Sequence, residues 1–285
     1  MVNSDGIDDD ATENFVKSRV KSISGRLSKD NPLVHKDPVE VIEALIRQAV
    51  RVPGVAVDRD VWLRKELKLH CPPDVVERAV AESPHAAGIP DELVERLATK
   101  AIRFETGKAA GISLVTGLPG GFALLGTIPA DMAQYYAHII RIEQKLAYAY
   151  GWESFLQPGD EVDDTTMGIL ALLLGVAEGV GTAGTALAKF AATTAQAGVA
   201  KTIQKQALMK TAFYPMIKKI MRALGVKVTK ESFAKSASKV VPVVGGAVSA
   251  GMTFATFTVS ANRLRNHLRK LPQAGASATG APDSG

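Results

Sequence analysis

Polar side chains recur at three- and four-residue spacing within one predicted helix. They are Asp131, Gln134, His138, Arg141 and Lys145. This spacing places side chains on one face of an α-helix. A histidine among charged neighbours could relay protons or form a small polar site, because its charge changes near neutral pH. The alternative, which we favour, is a solvated face whose charges pair with one another.

A second candidate for chemistry is Glu178, the only charged residue between positions 165 and 188. An acidic residue inside a membrane-spanning helix marks a functional site. In a helix that does not span lipid, the same side chain would point outward or pair with a lysine.

Two glycine-rich stretches resemble phosphate-binding loops. Residues 179–184 match the pattern G-x-G-x-x-G, but no acid follows before Glu231 to hold a ribose. Residues 117–121 lack the Lys and Ser/Thr of a P-loop. We therefore expect a helix break at residues 117–121. The four-residue spacing of Gly175, Gly179 and Ala183 predicts close helix packing through small residues.

No pattern in the sequence points to an enzyme. The five histidines are scattered, and there is no G-x-S-x-G, H-E-x-x-H or EF-hand motif. We expect no metal and no other cofactor, and the absence of a catalytic motif favours a non-enzymatic protein. The single cysteine, Cys71, excludes an intramolecular disulfide and suits a reducing cytoplasm.

One segment of the chain is strongly basic. Residues 201–239 hold ten Lys or Arg and one acid, a net charge of +9 against +5 for the whole chain. Each cation near an anionic leaflet contributes roughly 1 kcal/mol. We therefore predict a lipid-binding surface made of Lys201, Lys205, Lys210, Lys218, Lys219 and Arg222. Nucleic acid and a plain solvated face are the alternatives, and the few aromatic residues disfavour nucleic acid.

Three apolar runs are long enough to cross a bilayer. Residues 109–130 and 240–262 carry no charge, and residues 165–188 carry only Glu178. Gly, Ala, Ser and Thr lower their hydrophobicity, so partial insertion is favoured over full spanning. The same runs could instead form the core of a soluble partner-binding adaptor, or small-residue hairpins of a pore lined by Glu178.

Helical periodicity without a convincing strand predicts an all-α fold, a helical bundle with Gly/Pro-broken apolar hairpins. Acidic caps and prolines mark the helix starts at Asp37-Pro38, Pro72-Pro73, Pro90-Asp91, Pro129-Asp131 and Asp163-Asp164. The helix that begins at Pro90 should turn Leu93, Leu97, Ala101 and Phe104 to one side. In the basic segment, we expect a helix break near Gly225.

Two groups of glycine and proline motifs carry a family resemblance. The first combines residues 116–121 (TGLPGG), 128–132 (IPADM) and 147–151 (AYAYG), and the second is residues 239–248 (KVVPVVGGAV). Their order and spacing resemble the EcsC family of bacterial helical proteins over roughly residues 60–270. The matching positions are Gly117, Pro119, Gly120, Gly121, Pro129, Asp131, Pro242, Gly245 and Gly246.

The resemblance implies a mostly helical bacterial protein whose motif residues are structural determinants. The family has no agreed activity or catalytic residues, and its founder is encoded beside an ABC transporter in some bacteria. A protein partner or an ABC transporter is therefore an expectation from the family.

We expect four regions along the chain. They are a disordered acidic N-terminus (1–12), N-terminal helices (13–59), an EcsC-like helical domain (60–270) and a disordered tail (272–285). The leading hypothesis is a non-enzymatic bacterial protein of the cytoplasm, peripheral or partly inserted at the inner membrane. It would bind anionic lipid through its basic segment and its apolar glycine-rich helices, with the adaptor and the pore as alternatives.

Overall fold

The computed structural model describes residues 36–116, 130–159, 161–196, 212–238 and 246–271. These ranges contain nine α-helices and no β-strand, which confirms the predicted all-α bundle. In chain order the helices are α1 (Pro38–Val50), α2 (Arg59–Leu67), α3 (Pro73–Ala81), α4 (Asp91–Thr116), α5 (Ala130–Ala149), α6 (Asp164–Ala177), α7 (Ala183–Gln196), α8 (Tyr214–Ser238) and α9 (Gly246–Leu268). The terminal regions predicted at 1–12 and 272–285 lie outside the described residues.

Acidic caps and prolines begin the helices where the sequence predicts. The Asp37 carboxylate accepts a hydrogen bond from the Val39 backbone nitrogen at 2.7 Å, and Pro38 occupies the first position of α1. At the start of α6, Asp163 accepts from the Thr166 backbone nitrogen at 2.7 Å. These caps satisfy N–H groups that the first turn of a helix leaves without partners.

Helices α5 and α6 form the centre of the bundle. Helix α5 packs on α1, α2, α4, α6 and α9, and α6 packs on α1, α5, α7, α8 and α9. Around this pair, the most extensive contacts join α4 to α9 and α1 to α8. The described part of the predicted N-terminal helices therefore shares one core with the helices that follow.

The second apolar run lies partly inside this core. Every residue of α6 from Met167 to Ala177 is buried, so this part of the run offers no surface to lipid, whereas Gly179, Gly181 and Thr182 after α6 are exposed. None of the helices in the described ranges has both the length and the apolar character that crossing a bilayer requires. The first and third apolar runs extend beyond the described residues.

Small residues let the central helices approach closely, as the sequence predicts. A Cβ atom on Gly175 would lie 2.6 Å from Ile220 Cγ2 and 2.8 Å from Ala183 Cβ, so any larger side chain would push α6 away from α7 and α8. The G-x-G-x-x-G stretch is the turn that joins α6 to α7, and Gly179 ends α6 with a φ of 76°. A helix precedes it rather than a strand, which is not the context of a dinucleotide site.

The predicted break near Gly225 is wrong, because α8 runs unbroken from Tyr214 to Ser238. Gly225 serves packing instead. A Cβ atom there would lie 1.8 Å from the Pro38 carbonyl oxygen, so the absence of a side chain lets α8 rest against the start of α1. The contact between two helices distant in sequence explains the glycine, and no local signal reveals it.

Candidate functional site

Three residues of the predicted polar stripe converge on one buried acid, Glu105 of α4. In α5, His138 Nδ1 lies 3.2 Å from Glu105 Oε2, Arg141 Nε lies 3.2 Å from both carboxylate oxygens, and Lys145 Nζ lies 2.5 Å from Oε1. Glu105 is 0% exposed. The interpretation of the stripe as a solvated face is therefore wrong for these residues, which form an ion-pair cluster between α4 and α5, the Glu105 cluster.

The other two residues of the stripe do not join the Glu105 cluster. Gln134 is half-buried in α5 and makes no hydrogen bond to it. Asp131 lies in the first turn of α5, and its side chain falls outside the described part of the chain. The sequence thus identified three of the four members, and it missed the acid that holds them together.

Electrostatics keeps Glu105 ionised. Burial alone would raise the pKa of this carboxyl, but the hydrogen bond from His138 and the charge and hydrogen bond of Lys145 hold the pKa well below its ordinary value. Burial lowers the pKa of Lys145, and the nearby Glu105 opposes that shift. Because one carboxylate faces the guanidinium of Arg141 and the ammonium of Lys145, the cluster as a whole is positively charged.

The spacing places Phe104 on the same side of α4 as Leu93, Leu97 and Ala101, but Phe104 differs from these buried residues in its exposure. Phe104 is 55% exposed, and the next residue, Glu105, points inward. The cations of α5 explain why Glu105 rather than Phe104 is buried, because a buried carboxylate is stable when three donors surround it. A cationic stripe on a neighbouring helix is the signal that could have indicated a buried acid.

A second polar junction forms where α6 ends. Glu178 is buried there, and its carboxylate forms an ion pair with Lys227 of α8. Lys227 Nζ also donates to the Glu178 backbone carbonyl at 3.0 Å, and Arg263 of α9 donates to the Ala177 carbonyl at 2.6 Å. Cations at a helix C-terminus compensate its partial negative charge. Of the alternatives for Glu178, pairing with a lysine is the one observed.

Sequence reasoning missed a third buried acid, Glu143 of α5. Its side chain is 0% exposed, and neither carboxyl oxygen has a hydrogen-bond partner within the described residues. Burial raises the pKa of Glu143 well above its ordinary value, and the charge of Glu178 raises it further. The surroundings of this carboxyl therefore favour its neutral form. The sequence signal for this buried acid was its position on one helix face with the apolar residues Ile139, Ile140 and Leu146.

The basic segment is described in part. Lys218, Lys219 and Arg222 are exposed on α8 together with Lys230, and Tyr214 and Val226 are exposed beside them. Lys218 Nζ lies 5.0 Å from the centre of the Tyr214 ring. We call these four cations the α8 basic face. Lys201, Lys205 and Lys210 lie outside the described residues.

Of the motif positions, Gly246 begins α9, whereas Gly117, Pro119, Gly120, Gly121, Pro129, Pro242 and Gly245 lie outside the described residues. No family model, no curated protein and no solved structure matches this chain. The resemblance to the EcsC family therefore stays a prediction that rests on the glycine and proline motifs.

Proposed function

We propose that this chain is a non-enzymatic helical protein that binds the anionic surface of a membrane through the α8 basic face. The observation that carries the proposal is the exposure of Lys218, Lys219, Arg222 and Lys230 along one helix, since exposed cations gain roughly 1 kcal/mol each beside an anionic leaflet. Exposed Tyr214 and Val226 add apolar contact at the same place.

The burial of α6 shapes this proposal. Because the α6 part of the second apolar run lies in the core, we propose that binding is peripheral and driven mainly by charge. The proposal includes membership of the EcsC family and a site of action at the cytoplasmic face of a bacterial inner membrane. On this proposal, the α9 side chains Phe254 and Val259, which are 49% and 56% exposed, can enter the headgroup region.

The same burial favours a second candidate, a soluble adaptor that uses the apolar run as its core and binds a protein partner. In that case α8 would be an ordinary solvated face. Binding to vesicles separates the two candidates, because the adaptor has no reason to prefer an anionic bilayer.

The test is flotation of the tag-free protein with anionic and with neutral vesicles, at low and high salt. We expect binding to anionic vesicles only, weakened by salt because the charges of a surface helix are screened. The double variant Lys218→Glu/Lys219→Glu should lower the partition coefficient at least about tenfold, since each lost cation removes roughly 1 kcal/mol.

The matched control is Lys65→Glu/Lys68→Glu, which makes the same charge change on two exposed residues at the end of α2, Lys65 within the helix and Lys68 directly after it. Binding that falls equally in both double variants would reflect net charge rather than the α8 basic face. Absence of flotation by the wild-type protein would contradict the membrane proposal and leave the adaptor.

A further inference from the structure

A groove on the outer side of α4 has the features of an anion-binding site. Its volume is about 610 Å³, which falls in the range of small-molecule sites. The residues that line it are Glu95, Arg96, Thr99, Lys100, Arg103 and Phe104. Helix α4 packs on α5 and α9, whereas α8 packs on α1 and α6, so the groove is separate from the α8 basic face.

Two of the cations in this groove are available to a ligand. Arg96 and Arg103 are exposed, and neither has an acidic partner in the described part of the chain. Lys100 differs from them, since its ammonium pairs with Glu66 of α2 at 2.7 Å. Arg96 and Arg103 lie two turns apart on one face of α4, where flexible side chains can converge on one anion.

Among the described residues that line the groove, Glu95 is the one acid, and it is already engaged. Glu95 accepts a hydrogen bond from the Tyr150 hydroxyl at 2.6 Å, and Arg265 Nε lies 3.9 Å from its other oxygen. Arg265 also donates to Thr99 Oγ1 at 3.2 Å. These contacts leave the charges of Arg96 and Arg103 without local compensation.

Two further cations lie beside the Phe104 ring. The Phe104 ring lies in the groove with Lys108 Nζ 4.8 Å and Lys145 Nζ 5.1 Å from its centre. Lys145 belongs to the Glu105 cluster, in which cations outnumber the single acid. Positive charge in a concave surface concentrates the field on an incoming anion.

We propose that this groove binds a phosphate ester of small-molecule size. The guanidinium groups of Arg96 and Arg103 hold the phosphoryl oxygens, because a guanidinium matches phosphate with two parallel hydrogen bonds. The organic part of the ester packs on the exposed face of Phe104. The exposed Phe104 beside the two arginines points to an ester rather than inorganic phosphate, either soluble or the headgroup of a lipid.

Calorimetric titration of the whole chain without vesicles tests this proposal. The probes are glycerol 3-phosphate and a short-chain phosphatidate kept below its micelle concentration. We expect a Kd below about 1 mM, the weak end of specific binding. Equal binding of both probes identifies the phosphate ester as sufficient, whereas binding of phosphatidate alone identifies a lipid source. Either outcome supports the proposal.

The double variant Arg96→Gln/Arg103→Gln should raise the Kd at least about tenfold, because both phosphate ligands are lost. The matched control is Arg51→Gln/Arg78→Gln, which removes two exposed guanidinium groups elsewhere on the surface. Circular dichroism checks that both variants keep their helix content. An unchanged Kd in the groove variant, an equal loss in the control, or no binding of either probe by the wild type overturns the proposal.

Discussion

Glu105 in α4 and Glu143 in α5 are both 0% exposed, yet their surroundings are opposite. Three donors from α5 contact the carboxylate of Glu105, and they hold its pKa well below the ordinary value. Glu143 has no hydrogen-bond partner within the described ranges, and burial raises its pKa. One helix pair therefore contains two buried acids whose pKa values are shifted in opposite directions.

The comparison shows that burial alone does not decide the charge of a glutamate. Desolvation disfavours the charged form of both side chains. At Glu105 the hydrogen bond from His138, the Lys145 ammonium and the Arg141 guanidinium outweigh this cost, and these contacts tie α4 to α5. At Glu143 the charge that acts on the carboxyl is another acid, Glu178, which favours the neutral form. We therefore expect the first acid to stabilise the bundle and the second to weaken it.

The largest effect should come from breaking the Glu105 cluster. Glu105→Ala leaves His138, Arg141 and Lys145 without their shared acceptor, and removing one partner of a buried ion pair costs about 3–5 kcal/mol. We expect a loss of that size in the free energy of unfolding, measured by urea denaturation. Glu77→Ala is the control, because it breaks the exposed pair with Arg64 and should cost far less than Glu105→Ala.

A loss below about 1 kcal/mol for Glu105→Ala would mean that the cations of α5 find water or other acceptors when the acid is absent. In that case the contrast between the two buried acids would not be energetic. Loss of folding altogether would agree with the prediction, since domains of this kind are only marginally stable.

An opposite and smaller effect is expected at the other buried acid. Glu143→Leu replaces a carboxyl without hydrogen bonds by an apolar side chain of similar size. Because a buried polar group without partners costs about 1–3 kcal/mol, we expect the variant to be more stable than the wild type by that amount at pH 7. Urea denaturation measures the gain, and a loss of stability would show that Glu143 has a partner when the protein is in solution.

The pH dependence of stability distinguishes two effects at Glu143, the cost of keeping the carboxyl protonated and the cost of burying a polar group. Its folded pKa is raised, so its contribution to stability is complete below the unfolded pKa of about 4.3 and decreases as the pH rises above it. Glu143→Gln cannot ionise. It should therefore match the wild type near pH 4 and exceed it at pH 7, whereas Glu143→Leu should exceed it at both.

The contribution of Glu105 to stability should change with pH in the opposite direction. Its folded pKa is lowered, so its contribution is present above the unfolded pKa of about 4.3 and is lost as the pH falls. A wild-type stability profile with no decrease on the acid side would contradict this assignment.

The smallest effect should come from one donor of the Glu105 cluster. His138→Leu removes a single hydrogen bond, while Arg141 and Lys145 continue to satisfy the carboxylate. We expect a loss of about 1 kcal/mol, the ordinary net value of one hydrogen bond. Thermal unfolding measures it against the wild type, and a loss as large as that of Glu105→Ala would show that the histidine, rather than the two cations, holds the acid.

Local signals in the sequence predict the starts of helices well. Asp37, Pro38 and Asp163 act within a few residues of their own positions, so their capping role follows from the chain alone. Gly225 was misread as a helix break because glycine weakens a helix locally, and its contact with Pro38 involves a helix far away in the sequence.

The candidate sites were predicted less completely, for the same reason. The stripe of His138, Arg141 and Lys145 is visible in the sequence, because helical spacing brings these residues to one face. Their acceptor lies on α4, and no local pattern indicates which residue of α4 meets them. This contact is the reason that Glu105 rather than Phe104 is buried on that helix.

The sequence by itself determined the all-α fold, the starts of most described helices and the basic character of α8, because periodicity, capping and charge act over short distances along the chain. Only the tertiary structure decided which charged faces are buried. A carboxylate can lie inside when another helix supplies its donors, and its neutral form is favoured when none does, so the pKa values of Glu105 and Glu143 depend on how α4, α5 and α6 pack together.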